Sequence, residues 1–385
     1  MKISIDTRTI KKGEYFVPIV GPNFDGNKFI EDAARKGAKG VISEDKFYKL
    51  AKSKLDNKRP FIIAVAGSIG KSTFRSYLYS VLKTKYSVLE SEQNTKLGFA
   101  LKVLNNLEKQ KIIVAEIGID RMGEMEDTAS FVRPDISIIT KLGKEHLEFL
   151  KSYKNVVCEE SKIIEYTKPK FIYINTLDRD DYLKYCEINN KKLRSYDIKK
   201  LSIEIKKQIE DLIIPEHEKK YLVGICHIAK KHFKFSDIDL KLGLKKLIKP
   251  KGRMNLVKLK DGSIVIDDTY NAVCDQTIIE GIKFVQNLSS KLNKKLKVVI
   301  PNMVENGLSS DVQHRNISNF VNKSGLKEIY IVGNNLKYYK KYLKIKYLSF
   351  SLADEIKFNH ENDTLYYIKA TRRYLGPELV KKLTQ

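Results

Sequence analysis

Apolar residues in this chain come in short runs separated by helix-length stretches. The run 61–66 is uninterrupted, and 112–116, 136–140 and 170–175 repeat the pattern. Continuous apolar runs bounded by polar turns are what strands covered on both faces require. Strands alternating with helices predict a parallel sheet whose ligands bind beyond the C-terminal strand ends. Gly67, Glu116 and Thr140 all fall at such ends, and a helix is predicted over 73–83.

The flanking regions differ. Residues 1–58 read as a small first domain, with strands at 16–20 and 40–43. Between them 27–36 has helical spacing, placing Phe29, Ile30, Ala33 and Ala34 on one face. The polar stretch 56–60 reads as a linker to a central domain over 59–249. From 250 to 385 strands at 263–268, 296–300, 328–332 and 365–369 alternate with helical stretches, predicting a C-terminal open-sheet α/β domain. The lysine-rich stretch 191–249 has no clear period, and no internal repeat is apparent.

The first strand leads into Gly67-Ser68-Ile69-Gly70-Lys71-Ser72-Thr73. A buried strand, a glycine turn and a helix start form a cradle for nucleotide phosphates. The glycines let backbone N–H groups approach phosphate oxygens, Lys71 supplies a point charge, and Ser72 offers a hydroxyl to Mg²⁺. Val65 stands where the longer form of this loop has its first glycine. The loop predicts ATP as cofactor.

Composition narrows the class. The 385 residues are 42% hydrophobic, enough for two or three cored domains. No apolar run reaches about 18 residues, so no membrane helix is expected. The N-terminus lacks the apolar stretch of a signal peptide. Cys158, Cys186, Cys226 and Cys274 show no metal-ligand spacing. Reduced thiols and a cytoplasmic location are expected. The net charge of +25 raises the question of nucleic acid. The excess is mostly lysine and is spread along the chain, which speaks against that use and is compatible with an anionic small substrate.

Beyond the loop, an ordered set of motifs resembles the Mur ligase family, ATP-dependent amide-bond-forming enzymes of cell-wall peptide assembly. The set runs from Asp6-Thr7-Arg8, Gly13-Glu14-Tyr15-Phe16-Val17 and Asp25-Gly26-Asn27 through Asn94, Leu97-Gly98, Glu116-Ile117-Gly118 and His146-Leu147-Glu148. It continues through Lys162, Gly252-Arg253, Asp267-Asp268-Thr269-Tyr270-Asn271-Ala272, Asn302-Met303-Val304-Glu305 and His314, and ends at Lys369-Ala370-Thr371-Arg372. The resemblance implies a three-domain α/β architecture: a small acyl-substrate domain, a central P-loop parallel-sheet ATPase domain, and a C-terminal domain that receives the amine. It also implies phosphoryl transfer from ATP to a carboxylate and attack of an amine on the acyl phosphate. Its most specific form is addition of D-alanyl-D-alanine to a UDP-muramoyl tripeptide.

The resemblance implies roles residue by residue. Glu116 joins Ser72 as a Mg²⁺ ligand, with His146 near a second metal. Lys162 is the position of a carbamylated lysine, an anionic oxygen ligand made from an ammonium. Arg253 reaches ATP phosphates on domain closure, and Asp268 and Asn271 lie at the nucleoside end. Gly67, Ser68, Gly70, Lys71, Ser72 and Thr73 hold the phosphates. Thr7 and Arg8 hold the uridine diphosphate, Asn94 contacts the acyl substrate, and His314 and Arg372 lie near the amine.

The chain also departs from the family. It opens almost at Asp6-Thr7-Arg8, and 162–250 reads as shortened, with Pro215-Glu216-His217-Glu218 a loose version of a Pro-Gly-x-His-Asn motif. These departures keep other readings open: a ligase for another anionic acyl substrate, such as an archaeal pseudomurein precursor or a secondary metabolite, or a nucleotide-binding partner that does not catalyse. A P-loop protein acting on nucleic acid would instead show ATP turnover stimulated by DNA or RNA.

Overall fold

The computed structural model describes residues 1–385 apart from 22–23, 169–171, 175–178, 187–192, 196–200, 273, 304–308, 335 and 359–360. Among the described residues the central sheet has six strands, all parallel. Their order is Leu193–Ser195, Ile172–Ile174, Ile136–Ile139, Phe61–Ala66, Ile112–Glu116 and Val88–Ser91. Phe61–Ala66 lies inside the sheet, which is why its residues are apolar in both directions. Ile62, Ala64 and Ala66 face a core shared with Phe99, Met125 and Val156, while Ile63 and Val65 face Phe74, Leu78 and Leu222. Full burial of each large side chain contributes about 1.5–3 kcal/mol.

Register decides what meets at the sheet's edge. Val65 pairs with Glu116 and Ala66 with Ile139, so Gly67, Glu116 and Thr140 emerge together. The chain leaves the strand at Gly67 with φ +107°, where a Cβ would lie 2.5 Å from Thr140 Oγ1. Only glycine turns there without displacing the neighbouring strand.

The stretch left unpatterned in the sequence holds three helices, Ile203–Glu210, Glu216–Phe233 and Asp237–Lys245. Tyr221, Leu222, Ile225, Ile228, Ala229 and Phe233 form a buried stripe on the second. Lysines between them hide that period from a reading by composition. The linker expected at 56–60 is corrected as well. Helix Glu44–Lys58 runs through most of it, capped by Ser43 and buried at Phe47, Ala51 and Leu55, and the chain turns at Arg59 in the left-handed region. The helix expected over 27–36 is a 3₁₀ turn, Gly26–Phe29, followed by Ile30–Arg35.

The first sheet has three short parallel strands, Ile3–Ser4, Tyr15–Phe16 and Gly40–Val41. The C-terminal sheet runs Asn255–Lys258, Ile264–Asp267, Thr364–Ile368, Lys295–Pro301, Glu328–Val332 and Leu348–Phe350. It is parallel except for its first edge strand. Helices Asp275–Leu292 and Ser310–Lys323 beside it meet the central body through Lys141–Glu280 at 2.5 Å and through Gln313 Nε2 donating to the Lys144 carbonyl at 3.4 Å.

Candidate active site

The loop 67–70 joins its strand to helix Lys71–Leu82, which begins at Gly70 with φ +90°. The Ser68 and Ile69 N–H groups donate to the Lys141 carbonyl at 3.1 and 2.8 Å, fixing the loop to the neighbouring strand end. Tyr221, from helix Glu216–Phe233, donates its hydroxyl to the Ile69 carbonyl at 3.2 Å. The loop is therefore held in shape from two sides, an arrangement that suits a preorganised phosphate cradle.

Buried acids surround Lys71. Its ammonium lies 3.4 Å from Glu145 Oε1 and donates to the Ser68 carbonyl at 3.3 Å. Burial favours its neutral form, but the attraction of Glu145, Glu160 and Glu116 outweighs this and raises its pKa. Glu160 accepts the Gly67 N–H at 2.8 Å, and its other oxygen is buried without a hydrogen-bond partner among the described residues. Burial pushes Glu160 up to about 7 against the opposing pull of Lys71. It also raises Glu145.

Ser72 donates to Glu116 Oε1 at 3.1 Å, and Arg75 Nε donates to Glu116 Oε2 at 3.2 Å. A hydroxyl and a carboxylate this close form an oxygen pair that fits hard Mg²⁺. Among the described residues no group of three or more His, Cys, Asp or Glu side chains could hold a metal ion alone.

The remaining residues expected at the metal, His146 and Lys162, are each paired with an acid other than Glu116. His146 has φ +51° at the start of a short helix, with Nε2 3.4 Å from Asp120 Oδ1. Lys162 ends helix Tyr153–Ser161, and its ammonium lies 2.8 Å from Glu159 Oε2. Successive residues on a helix are rotated by about 100°, so Glu160 and Lys162 face different ways. Glu160 is the one that meets the loop. Thr73 is buried in the loop's helix.

In the C-terminal domain Arg253 stacks on Tyr270, 4.1 Å from the ring centroid, and donates to Asn271 Oδ1 at 3.0 Å. Arg372 lies 5.4 Å from the same centroid. Asp268 is buried against Lys369 at 2.8 Å and accepts the Tyr367 hydroxyl at 3.1 Å. His314 is fully buried; its Nδ1 donates to the Ser310 carbonyl at 2.7 Å, and its Nε2 accepts the Met303 N–H at 3.3 Å. These bonds tie its ring into the 302–303 turn. Val304 and Glu305 of that motif lie outside the described residues.

A cavity of about 630 Å³ opens between the two large domains, lined by Lys141, His217, Tyr221, Glu280 and Lys283. Tyr221 and Lys141 make it adjoin the phosphate loop. In the first domain Arg8 is exposed and paired with Asp6 at 2.7 Å, while Thr7 is buried. The Asn94 carbonyl accepts the Gly118 N–H at 3.0 Å, beside the Glu116 strand end. Glu145, Glu160, Arg75 and Tyr221 were not anticipated. Of these only Arg75, one helical turn beyond Ser72, carried a signal in the sequence.

Residues 65–242 match the family model of the Mur ligase middle domain. That stretch of the chain is similar to the middle domain of the Mur ligases. It is 24% identical to the UDP-N-acetylmuramoyl-tripeptide--D-alanyl-D-alanine ligase of Bacillus subtilis, over 100% of this chain and 93% of that protein. The ligase of the same name from Buchnera aphidicola is 25% identical over 86% of this chain and 80% of that protein. Among solved structures, a MurF ligase of Thermotoga maritima in complex with ADP superposes with a TM-score of 0.81 at 20% identity, covering 99% of this chain and 96% of that one. The Mur ligase fold therefore extends through the whole chain, including the regions that read as shortened.

Proposed function

We propose that this chain is an ATP-dependent ligase that adds D-alanyl-D-alanine to a UDP-muramoyl tripeptide in cytoplasmic cell-wall precursor synthesis. The observation that carries the reading is its end-to-end likeness to relatives of that name, with an intact phosphate loop at the centre. The substrate carboxylate takes the γ-phosphoryl group of ATP, giving an acyl phosphate and ADP. The amine then attacks the acyl carbon and loses a proton, and inorganic phosphate leaves. Both steps build negative charge on crowded oxygens, which fixed cations offset.

The roles divide by domain: 1–58 for the nucleotide-linked acyl substrate, 59–249 for ATP, and 250–385 for the amine. Lys71 and the loop N–H groups hold phosphate oxygens. Ser72 and Glu116 would hold Mg²⁺, which when bound neutralises phosphate charge. The interdomain cavity beside Tyr221 and Lys141 is assigned to the nucleoside end, and Asp268 and Asn271 are assigned to the same part of the nucleotide. Arg253 turns from Tyr270 toward the phosphates on closure. Arg372 serves the amine substrate, and His314 acts by shaping the 302–303 turn. Thr7 and Arg8 serve the uridine diphosphate, and Asn94 the acyl peptide.

His146 and Lys162 are assigned to a second metal in the loaded enzyme. A carbamate on Lys162 would stand among Glu159, Glu126 and Glu165, the acids that now surround its ammonium. An anion there requires a metal to offset repulsion, so carbamylation accompanies metal loading. A carbamate signal from ¹³C-labelled bicarbonate should appear only with Mg²⁺ and nucleotide, and its absence under those conditions removes the assignment.

The direct test incubates the protein with ATP, Mg²⁺, a UDP-muramoyl tripeptide and D-alanyl-D-alanine. Mass spectrometry should find the condensed product with one ADP released per bond. Tight ATP binding without that product would move the reading to another acyl substrate.

A further inference from the structure

Arg75 is a buried cation that the roles above leave unused. It lies three residues after Ser72 on helix Lys71–Leu82, so the two present the same face. Both reach Glu116, one at each oxygen: Ser72 Oγ at Oε1 and Arg75 Nε at Oε2. The other end of the guanidinium pairs with Glu90 on the edge strand Val88–Ser91. Arg75 thus spans two strands, Ile112–Glu116 and Val88–Ser91. That edge strand continues into Asn94, whose carbonyl accepts the Gly118 N–H.

A carboxylate gripped at both oxygens does not rotate freely. Its Oε1 then stays with Ser72 Oγ before any ligand arrives. A lysine in place of Arg75 is a point charge and cannot span both acids with a rigid fork. Groups that orient a metal ligand in this way typically affect metal affinity by about 10–100-fold.

We propose that Arg75 is a positioning residue that fixes Glu116 so that Oε1 and Ser72 Oγ stand ready as a pair of Mg²⁺ ligands, and that it ties this pair through Glu90 to the strand leading to Asn94. The proposal rests on the reading of the site as one for metal and nucleotide.

Mn²⁺ is the probe, titrated by electron paramagnetic resonance into protein saturated with ADP. Arg75→Lys keeps the charge and should fold, yet weaken Mn²⁺ binding by about 10-fold. Its affinity for ADP in EDTA should stay within about 2-fold of the parent, a split that general loss of packing does not produce. Glu90→Gln leaves the Glu116 bond in place and should weaken Mn²⁺ by about 3-fold. Arg75→Met should be weaker than Arg75→Lys. Parent-like Mn²⁺ affinity in a folded Arg75→Lys protein overturns the proposal, as does an equal loss of metal-free ADP binding. Failure of the unmutated protein to bind Mn²⁺ with ADP would overturn the metal-nucleotide reading itself, a result separate from either.

Discussion

Gly70→Ala is the sharpest perturbation of the phosphate loop, because two independent penalties can be computed for it. Gly70 sits at φ +90°, a backbone conformation that costs an L-residue about 1–2 kcal/mol. A Cβ would also lie 2.1 Å from the Tyr221 hydroxyl oxygen and 2.6 Å from two of its ring carbons. The ring cannot retreat easily: Tyr221 is buried, packs edge-on against Phe74 with centroids 5.6 Å apart, and bonds the Ile69 carbonyl. Overpacking of that kind costs about 1–3 kcal/mol, giving roughly 2–5 kcal/mol in all. The assay is urea unfolding of the nucleotide-free protein, since bound ligand adds its own stabilisation. Tyr221→Leu separates the terms. In a double-mutant cycle the steric part, about 1–3 kcal/mol, should disappear, while the backbone part, about 1–2 kcal/mol, remains. A loss below about 0.5 kcal/mol for Gly70→Ala, or strict additivity with Tyr221→Leu, would refute the claim that Tyr221 locks the loop.

Lys71→Ala should lower turnover by on the order of 10³-fold, and parent-like product formation would remove the phosphate-loop assignment. Glu145→Gln removes an acid that now occupies Lys71, so metal-free ADP should bind about 10-fold tighter by calorimetry in EDTA; unchanged affinity counts against that pairing. Glu159→Ala should cost about 1–3 kcal/mol in thermal unfolding, because Glu159 Oε1 accepts both the Gly123 and Met125 N–H groups at the start of helix Glu124–Val132. A melting point equal to the parent's would show those bonds to be dispensable. Burial, reinforced by Lys231, His227 and Arg194, holds His232 down to about 4, below its ordinary 6.5. The unfolded chain takes up that proton first, so stability is full above about 6.5 and falls as pH drops toward about 4. Melting curves of His232→Gln should be flatter than the parent's in that window.

How much of this was legible depended on whether a feature was local. The strand, glycines, lysine and hydroxyl of 61–73 are contiguous, so their geometry follows from one stretch of chain. Glu116 was legible because it ends an apolar run, and sheet register then brings it to Ser72. Glu145 and Glu160 reach Lys71 from 74 and 89 residues away by subtraction of their numbers, through a sheet crossover and a helix face that no local pattern encodes. Lys162 shows the opposite problem. Its place in the motif order was readable, but the direction of its side chain is set by the last turn of helix Tyr153–Ser161 and by Glu159. The helices of 201–249 escaped notice because surface lysines broke up an apolar stripe that becomes plain once Tyr221, Ile225 and Phe233 are seen on one face.

The charges around Lys71 constrain what can enter. Glu116, Glu145 and Glu160 face a single cation, Lys71, and because burial raises Glu145 and pushes Glu160 up to about 7, the negative charge there grows as pH rises through neutrality. A loop that presented only Lys71 and its N–H donors would attract any polyphosphate. Once ionised, these acids would repel a bare triphosphate, and a divalent cation arriving with it would offset the acids and the phosphates together. Closure of the interdomain cavity in the proposed cycle would exclude water and strengthen both the attraction and the repulsion. On the proposed reading, a preference for metal-bound nucleotide would follow from the acids rather than from the glycine loop. The same acids, drawn from separate strands and helices, require the whole central sheet to be in register before the site exists.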